Sequence, residues 1–161
     1  MLLPQKLKNA QLKFILPVVV MSSMLLSACQ NSMISDESTE QLTLVGQPWQ
    51  LITLSGKPAI LGESQRPLKI EFLTENNVFR GFAGCNNYSG GFTYTDNSIE
   101  FGPAMATRKF CADFSEQENK YLMAISNAKY FQIKNQKLTL TDKTDQVIAV
   151  YEPLKGLEYS Q

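Results

Sequence analysis

The sequence predicts a mainly β domain of the α+β class, in which antiparallel strands form one sheet and a single helix packs on it. Short segments of alternating apolar and polar residues are separated by turn-forming residues. These segments follow one another closely with no helical crossover between them, so antiparallel pairing is favoured over a parallel sheet. Helix signals come only after Cys111.

Five strands are predicted before the helix, at residues 47–54, 68–73, 78–82, 91–95 and 98–101. In the first, Trp49 and Leu51 alternate with Leu54, so Leu54 is expected on the opposite face, and Trp49 is expected in the core. Turn residues separate the strands at 55–58, 75–77 and 96–97.

The helix signal is the pair Ser115 and Glu118, which has the S-x-x-E spacing of a capping box. Glu118 is therefore interpreted as a cap and not as a catalytic acid. Tyr121, Leu122 and Ile125 share one helical face and are expected to pack on the sheet. Three more strands are predicted at 130–134, 138–140 and 147–151, and Pro153 is expected to end the last one.

Residues 1–28 have the features of a secretion signal, with three early lysines and an apolar run at 14–21 that is too short to span a bilayer comfortably. The segment 26–29, Leu-Ser-Ala-Cys, resembles the lipobox of bacterial lipoproteins. That resemblance implies that Cys29 is acylated, becomes the new N-terminus and anchors the chain to a membrane. Gln30 follows the cysteine, which in sorted lipoproteins favours the outer membrane. The alternative is an ordinary signal peptide that leaves Cys29 as a free thiol.

Composition bounds what the rest of the chain can do. The polar residues 29–44 are interpreted as the lipidated cysteine and a flexible tether, 45–153 as the folded domain and 154–161 as a tail.

Beyond residue 28 there are 12 basic and 15 acidic residues, so a nucleic-acid partner is not expected. The chain has no histidine, which excludes histidine-based catalysis and histidine-ligated metal sites. No catalytic constellation, metal site or cofactor motif is recognised, and an enzyme is not expected.

The stretch 81–91 interrupts the strand pattern with four glycines, which indicates positive φ angles or close backbone approach. Cys85 lies within it, and a disulfide to Cys111 is expected in an oxidising compartment. Two free buried thiols remain an alternative. A redox-active pair is a further one, but the sequence lacks a C-x-x-C motif.

These segments resemble the META domain, also called HslJ-like, over residues 45–153. The residues that carry the resemblance are the opening Trp49, the stretch 81–90, Phe101 with Gly102, the stretch 105–108, Cys111, and Glu118 ahead of Tyr121 and Leu122. Ala112 stands where many members have proline. The resemblance implies a strongly curved antiparallel sheet or partly open barrel of about eight strands with one helix, similar in shape to pilotins. The family is linked to the cell envelope, stress and novobiocin resistance, and no enzymatic activity is established for it.

The leading functional hypothesis is a non-catalytic lipoprotein of the outer membrane that faces the periplasm and holds an envelope protein or an apolar ligand. A binding site is expected around Asn86, Asn87, Tyr88 and Arg108, where a glycine-rich turn meets a cation. Alternatively, Asn86 and Arg108 only satisfy the backbone of the turn.

Two alternatives concern the function itself. The chain could be a pilotin-like chaperone of an outer-membrane protein. It could also be a carrier of lipids or other hydrophobic molecules, with a cavity inside the barrel. The aromatic rings that would line such a cavity, or else fill a dry core, are Phe72, Phe79, Phe82, Phe92, Tyr94 and Phe101.

Overall fold

Eight antiparallel strands form a closed barrel in the structure, a computed structural model that describes residues 42–155. The strands are β1 Pro48–Leu54, β2 Lys57–Pro58, β3 Lys69–Leu73, β4 Val78–Phe82, β5 Asn87–Thr95, β6 Ser98–Phe101, β7 Met105–Ala106, β8 Tyr130–Lys134, β9 Lys137–Thr141 and β10 Val147–Pro153. Around the barrel they follow the order β1, β3, β4, β5, β6, β8, β9, β10, and β10 returns to pair with β1. The two-residue strands β2 and β7 pair with β1 and β5.

The predicted fold class is confirmed: the domain is mainly β, with one α-helix, α1 Ser115–Asn127. The barrel is closed, since the first and last strands pair from Trp49 with Pro153 to Leu54 with Ala149. The expected signal peptide, residues 29–41 of the expected tether and residues 156–161 of the expected tail lie outside residues 42–155. Leu44, the last residue assigned to the tether, is buried in the core of the domain. Within residues 42–155 no helix combines the length and the hydropathy needed to cross a membrane.

Strand β1 departs from simple alternation. Its pairing with β10 shifts register between Leu51 and Thr53, which leaves Ile52 as an extra residue. A bulge of this kind turns the following side chains to the other face of the sheet. Trp49, Leu51 and Leu54 are consequently all buried in the core, and the expectation that Leu54 lies on the opposite face from Trp49 was wrong.

The glycine-rich stretch belongs mostly to strands. Strand β5 begins at Asn87 and not at residue 91, so the connection from β4 is only residues 83–86. Within the stretch, positive φ occurs at Gly84 alone, with φ 111°. Gly81 is required for a different reason, because a Cβ there would lie 2.0 Å from the carbonyl oxygen of Lys69.

Helix α1 lies across one end of the barrel. It contacts β1 and β6, which are four strands apart around the eight-stranded circle. Tyr121 and Ile125 are buried in the core as predicted, and Leu122 packs against it.

The capping-box interpretation was wrong. Phe114 is the N-cap, Ser115 is already helical, and the Ser115 hydroxyl donates to the carbonyl of Ala112 at 3.3 Å. The helix starts one residue before a capping box would allow, since the turn from Cys111 already supplies the first backbone hydrogen bonds. Glu118 is therefore free to point inward.

The barrel interior is filled by aromatic rings. Phe72 lies 5.1 Å from Phe92, and Phe79 lies 4.9 Å from Phe101, measured between ring centroids. Tyr88 donates a hydrogen bond to the carbonyl of Lys69 at 3.0 Å and accepts one from the Tyr121 hydroxyl at 2.9 Å. The helix is thus joined to the barrel core by a hydroxyl pair as well as by apolar packing.

Candidate functional site beside the disulfide

Asn86 holds together three segments at the end of the barrel that carries the helix. Its side-chain NH₂ donates to the carbonyl of Lys109 at 3.0 Å and to the Glu118 carboxylate at 3.2 Å. Its side-chain oxygen accepts from the Thr107 hydroxyl and from the backbone N–H of Lys109, each at 2.7 Å. With 6% of its surface exposed, Asn86 has both of its amide groups satisfied internally.

A disulfide between Cys85 and Cys111 fastens the same region, with 6.0 Å between the two Cα atoms. The disulfide-held loop, residues 107–111, is fixed at every second residue. Thr107 and Lys109 bond to Asn86, Lys109 also forms an ion pair with Glu63, and Cys111 is covalently joined. The residues between them, Arg108 and Phe110, are exposed to solvent.

Phe110 is the most exposed of the large apolar side chains among residues 42–155, with 86% of its surface accessible. Met105, in the short strand just before the loop, is 75% exposed. Apolar side chains of this size held on a fixed loop are a feature of interaction surfaces.

An open groove of about 620 Å³ runs along the outer face of β3, β4 and β5 and reaches the loop at Thr107. Three cations line this basic groove, Arg66, Lys69 and Arg80. The Arg66 guanidinium lies 3.9 Å from the centroid of the Phe82 ring, a cation–π contact that fixes its position.

Glu71 is the only carboxylate that lines the basic groove, and it pairs with Arg80 at 2.9 Å. The hydrogen bond from Arg80 to Glu71, with the charge of Glu71, raises the pKa of Arg80 above its ordinary value. With Arg80 and Glu71 paired, Arg66 and Lys69 give the groove a net charge of +2.

The four residues predicted to bind a ligand do not share one accessible surface. Asn86 is buried in its own network, and Tyr88 is almost fully buried in the barrel core. Asn87 is exposed and lines the basic groove, and Arg108 is exposed on the disulfide-held loop. The Asn86 side chain does satisfy backbone groups, as the alternative had it, but they are the N–H and C=O of Lys109 in the disulfide-held loop and not those of the glycine-rich turn.

Sequence reasoning missed the groove cations and Phe110. Lys69 alternates outward in a clean strand, which was a usable signal. Arg80 faces Glu71 across the β3–β4 pairing, and that requires the register to be known. Phe110 lies outward between Lys109 and Cys111, which are both held to the barrel, and those contacts are known only from the structure.

Two other grooves are less convincing as sites. The larger, about 1190 Å³, lies over β8 and β9 and is bordered by Leu42, where the described residues begin. The smaller, about 560 Å³, lies between the helix and the 142–143 turn. Neither contains any of the predicted binding residues.

The described residues offer no evident catalytic chemistry. Between residues 42 and 155 no group of histidine, cysteine, aspartate or glutamate side chains is placed to hold a metal ion. Glu118 is the buried carboxylate of this region, but Asn86 hydrogen-bonds to it and it lines none of the three grooves. The arrangement presents a charged and apolar surface suited to binding.

Comparison with solved structures shows the same fold in other proteins. A Burkholderia xenovorans protein solved by NMR is 22% identical, with a TM-score of 0.57 over 70% of this chain and 85% of that one. A second NMR structure is 21% identical, with a TM-score of 0.54 over 70% and 95%. A DUF4847 family protein from Bacteroides vulgatus is 12% identical, with a TM-score of 0.50 over 68% and 93%.

Among curated proteins, none matches this chain. The model of the META domain family matches residues 40–153, which is most of the chain and includes every described strand and the helix. The chain therefore belongs to the META domain family.

Proposed function

We propose that this protein is a non-catalytic lipoprotein of the bacterial cell envelope, anchored in the outer membrane through lipid on Cys29 and facing the periplasm. It supports outer-membrane integrity, and with it tolerance of stress and antibiotics, by binding a partner on its outer surface. The disulfide-held loop and the basic groove form that surface. The META domain is not a known enzyme family, in keeping with a binding role.

The main support is the filled interior of the barrel. The rings of Phe72, Phe79, Phe92 and Phe101 contact one another, with centroids 4.9 to 6.0 Å apart. Phe82 lies outside this core cluster beneath Arg66, and Tyr94 is partly exposed. A ligand therefore finds its place on the outside, and a carrier with an internal cavity is less well supported.

Anchoring is tested by the Cys29→Ala variant of the full chain. The wild-type protein is expected to have the mass of an acylated chain beginning at Cys29 and to sediment with outer membranes. The variant is expected to lack the acyl mass and to be lost from the outer-membrane fraction. A wild-type protein cut near Ala28 with an unmodified thiol would contradict the anchor.

The role in the envelope is tested by deletion of the gene and uptake of a hydrophobic fluorescent dye. Deletion is expected to increase dye uptake, wild-type protein to restore the barrier, and Cys29→Ala to fail although it carries the same barrel. Restoration by the unanchored variant would show that the protein acts without the membrane. Unchanged uptake on deletion would remove the proposed role.

A further inference from the structure

We propose that the disulfide-held loop and the basic groove together form a membrane-contact surface. In this arrangement Phe110 inserts at the level of the lipid headgroups, and Arg108 and the cations of the basic groove bind anionic headgroups of the bilayer that carries the chain. This inference rests on the proposed anchor and names the partner of the same surface.

The first support is the rigid display of Phe110. Because Thr107, Lys109 and Cys111 are each held to the barrel, the loop cannot fold Phe110 back onto the core. A projecting aromatic ring beside an arginine is the pairing typical of side chains at a membrane interface. Arg108 occupies that neighbouring outward position and is exposed.

The second support is charge. Arg66, Lys69 and Arg80 line the groove that begins at Thr107, and Arg80 neutralises its one carboxylate. Cations near a bilayer surface are attracted by its anionic lipids, and several acting together are needed for appreciable binding. The groove has three cations and one carboxylate, and Arg108 of the loop adds a further positive charge, so the surface has a net charge of +3.

The apolar area at the loop favours a lipid surface over a protein partner. Phe110 and Met105 are the large apolar side chains exposed there, and two such side chains expose on the order of 300 Å². A stable protein interface buries about 800 Å² on each partner, of which roughly 450 Å² is apolar. Contact with a bilayer requires a much smaller buried area, since the lipid on Cys29 already keeps the domain at the membrane surface.

The test uses the full lipidated protein, reconstituted in vesicles, with the substitution Phe110→Trp. Phe110 is exposed, so the substitution leaves the barrel intact. Trp49 is fully buried with its indole N–H bonded to the carbonyl of Leu44, so it gives a constant background. In vesicles of phosphatidylethanolamine and phosphatidylglycerol with brominated acyl chains, the emission of the new tryptophan is expected to shift to shorter wavelength and to fall about twofold.

The control is Tyr94→Trp, also on a partly exposed aromatic, near the far end of β5 from the loop. It is expected to show no quenching. Replacing Arg108 with Gln in the Phe110→Trp protein, or using zwitterionic vesicles alone, is expected to reduce the quenching. Equal quenching at positions 94 and 110, or none at 110, would overturn the proposal. So would a shift produced by an acidic polypeptide and not by the vesicles.

Failure of the anchor gives a different result. An unlipidated Phe110→Trp protein separates from the vesicles on flotation, whereas a lipidated Phe110→Trp protein without loop contact floats and keeps its emission unquenched. If the protein is unlipidated, the quenching measurement is repeated at a higher lipid concentration. Quenching of the Phe110→Trp protein under these conditions supports the loop contact, and unquenched emission overturns the proposal.

Discussion

Asn86 shows how one amide side chain can determine the shape of a surface. Four hydrogen bonds from this residue connect the β4–β5 connection, the disulfide-held loop and the helix. The outward positions of Arg108 and Phe110 follow from that network, because their neighbours are the residues it holds. A buried residue that touches no ligand therefore shapes the proposed site.

Replacing Asn86 with Ala is expected to lower the free energy of unfolding by about 3 kcal/mol, because the N–H of Lys109 and the Glu118 carboxylate lose a buried partner. Urea unfolding measures the change. Asn87→Ala is the matched control, since Asn87 is exposed on the next residue, and its effect is expected to stay within about 0.5 kcal/mol. Equal losses in the two variants would contradict the network.

For individual residues, the sequence predicted burial better than it predicted hydrogen-bond partners. It correctly placed Trp49, Tyr121 and Ile125 in the core, because their apolar periodicity is local. It assigned Glu118 to a helix cap, since Ser115 and Glu118 have the right spacing. What that spacing cannot reveal is Asn86, 32 residues away, which gives the carboxylate a buried partner.

Among the elements, the pair β4 and β5 depends on glycine for space. At Gly81 a Cβ would lie 2.0 Å from the carbonyl oxygen of Lys69 and 2.6 Å from the hydroxyl of Tyr88. Strands β3 and β4 would have to separate, or Tyr88 would have to leave its hydrogen bonds. Gly91 offers a contrast, with its nearest such contact at 3.9 Å.

Gly81→Ala is expected to destabilise the domain by about 3 kcal/mol through this overpacking. Gly91→Ala is expected to be neutral, or stabilising by about 0.5 kcal/mol, because alanine lowers the entropy of the unfolded strand. Thermal unfolding of the two variants distinguishes them. A Gly81→Ala protein as stable as Gly91→Ala would mean that the close approach of β3 and β4 is not required.

Element boundaries illustrate a second limit of sequence reasoning. The glycine-rich stretch was interpreted as a turn up to residue 91, since glycine in strands is unusual. Yet Asn87–Thr95 is one continuous strand. Within it, Gly90 lies where a Cβ would come within 2.7 Å of the Phe79 ring and 2.8 Å of the carbonyl oxygen of Pro103. That close approach is made by other segments of the chain, so the residues around Gly90 do not reveal it.

The whole molecule is closed by a pairing that no local pattern contains. β1 and β10 are separated by more than ninety residues. Their register shifts at a bulge in β1, just after Leu51 pairs with Tyr151. Alternation predicted each strand separately, and the family resemblance suggested a curved sheet. Closure depends on how the bend of all eight strands accumulates, which is a property of the complete barrel.

The helix and the barrel share a core of three tyrosines, Tyr88, Tyr121 and Tyr151. Because of these buried hydroxyls, the stability of the whole domain is expected to decrease at alkaline pH. Burial raises the pKa of each hydroxyl well above 10.0 in the folded protein, with the neighbouring tyrosines as a further cause. In the unfolded chain the same groups lose protons near pH 10, so above that pH the unfolded state binds fewer protons than the folded state. The free energy of unfolding must then fall as pH rises.

Above pH 10 the free energy of unfolding is expected to fall by about 4 kcal/mol per pH unit once all three hydroxyls ionise in the unfolded chain. Each hydroxyl contributes about 1.4 kcal/mol per pH unit. Urea unfolding between pH 8 and 11 measures it, with little change expected below pH 9 from these groups. Tyr151→Phe is expected to reduce the slope by about a third. Leu140→Ala, a core variant without a tyrosine change, is expected to lower stability equally at every pH. A slope unchanged by Tyr151→Phe would mean that this hydroxyl is not kept protonated by the folded barrel.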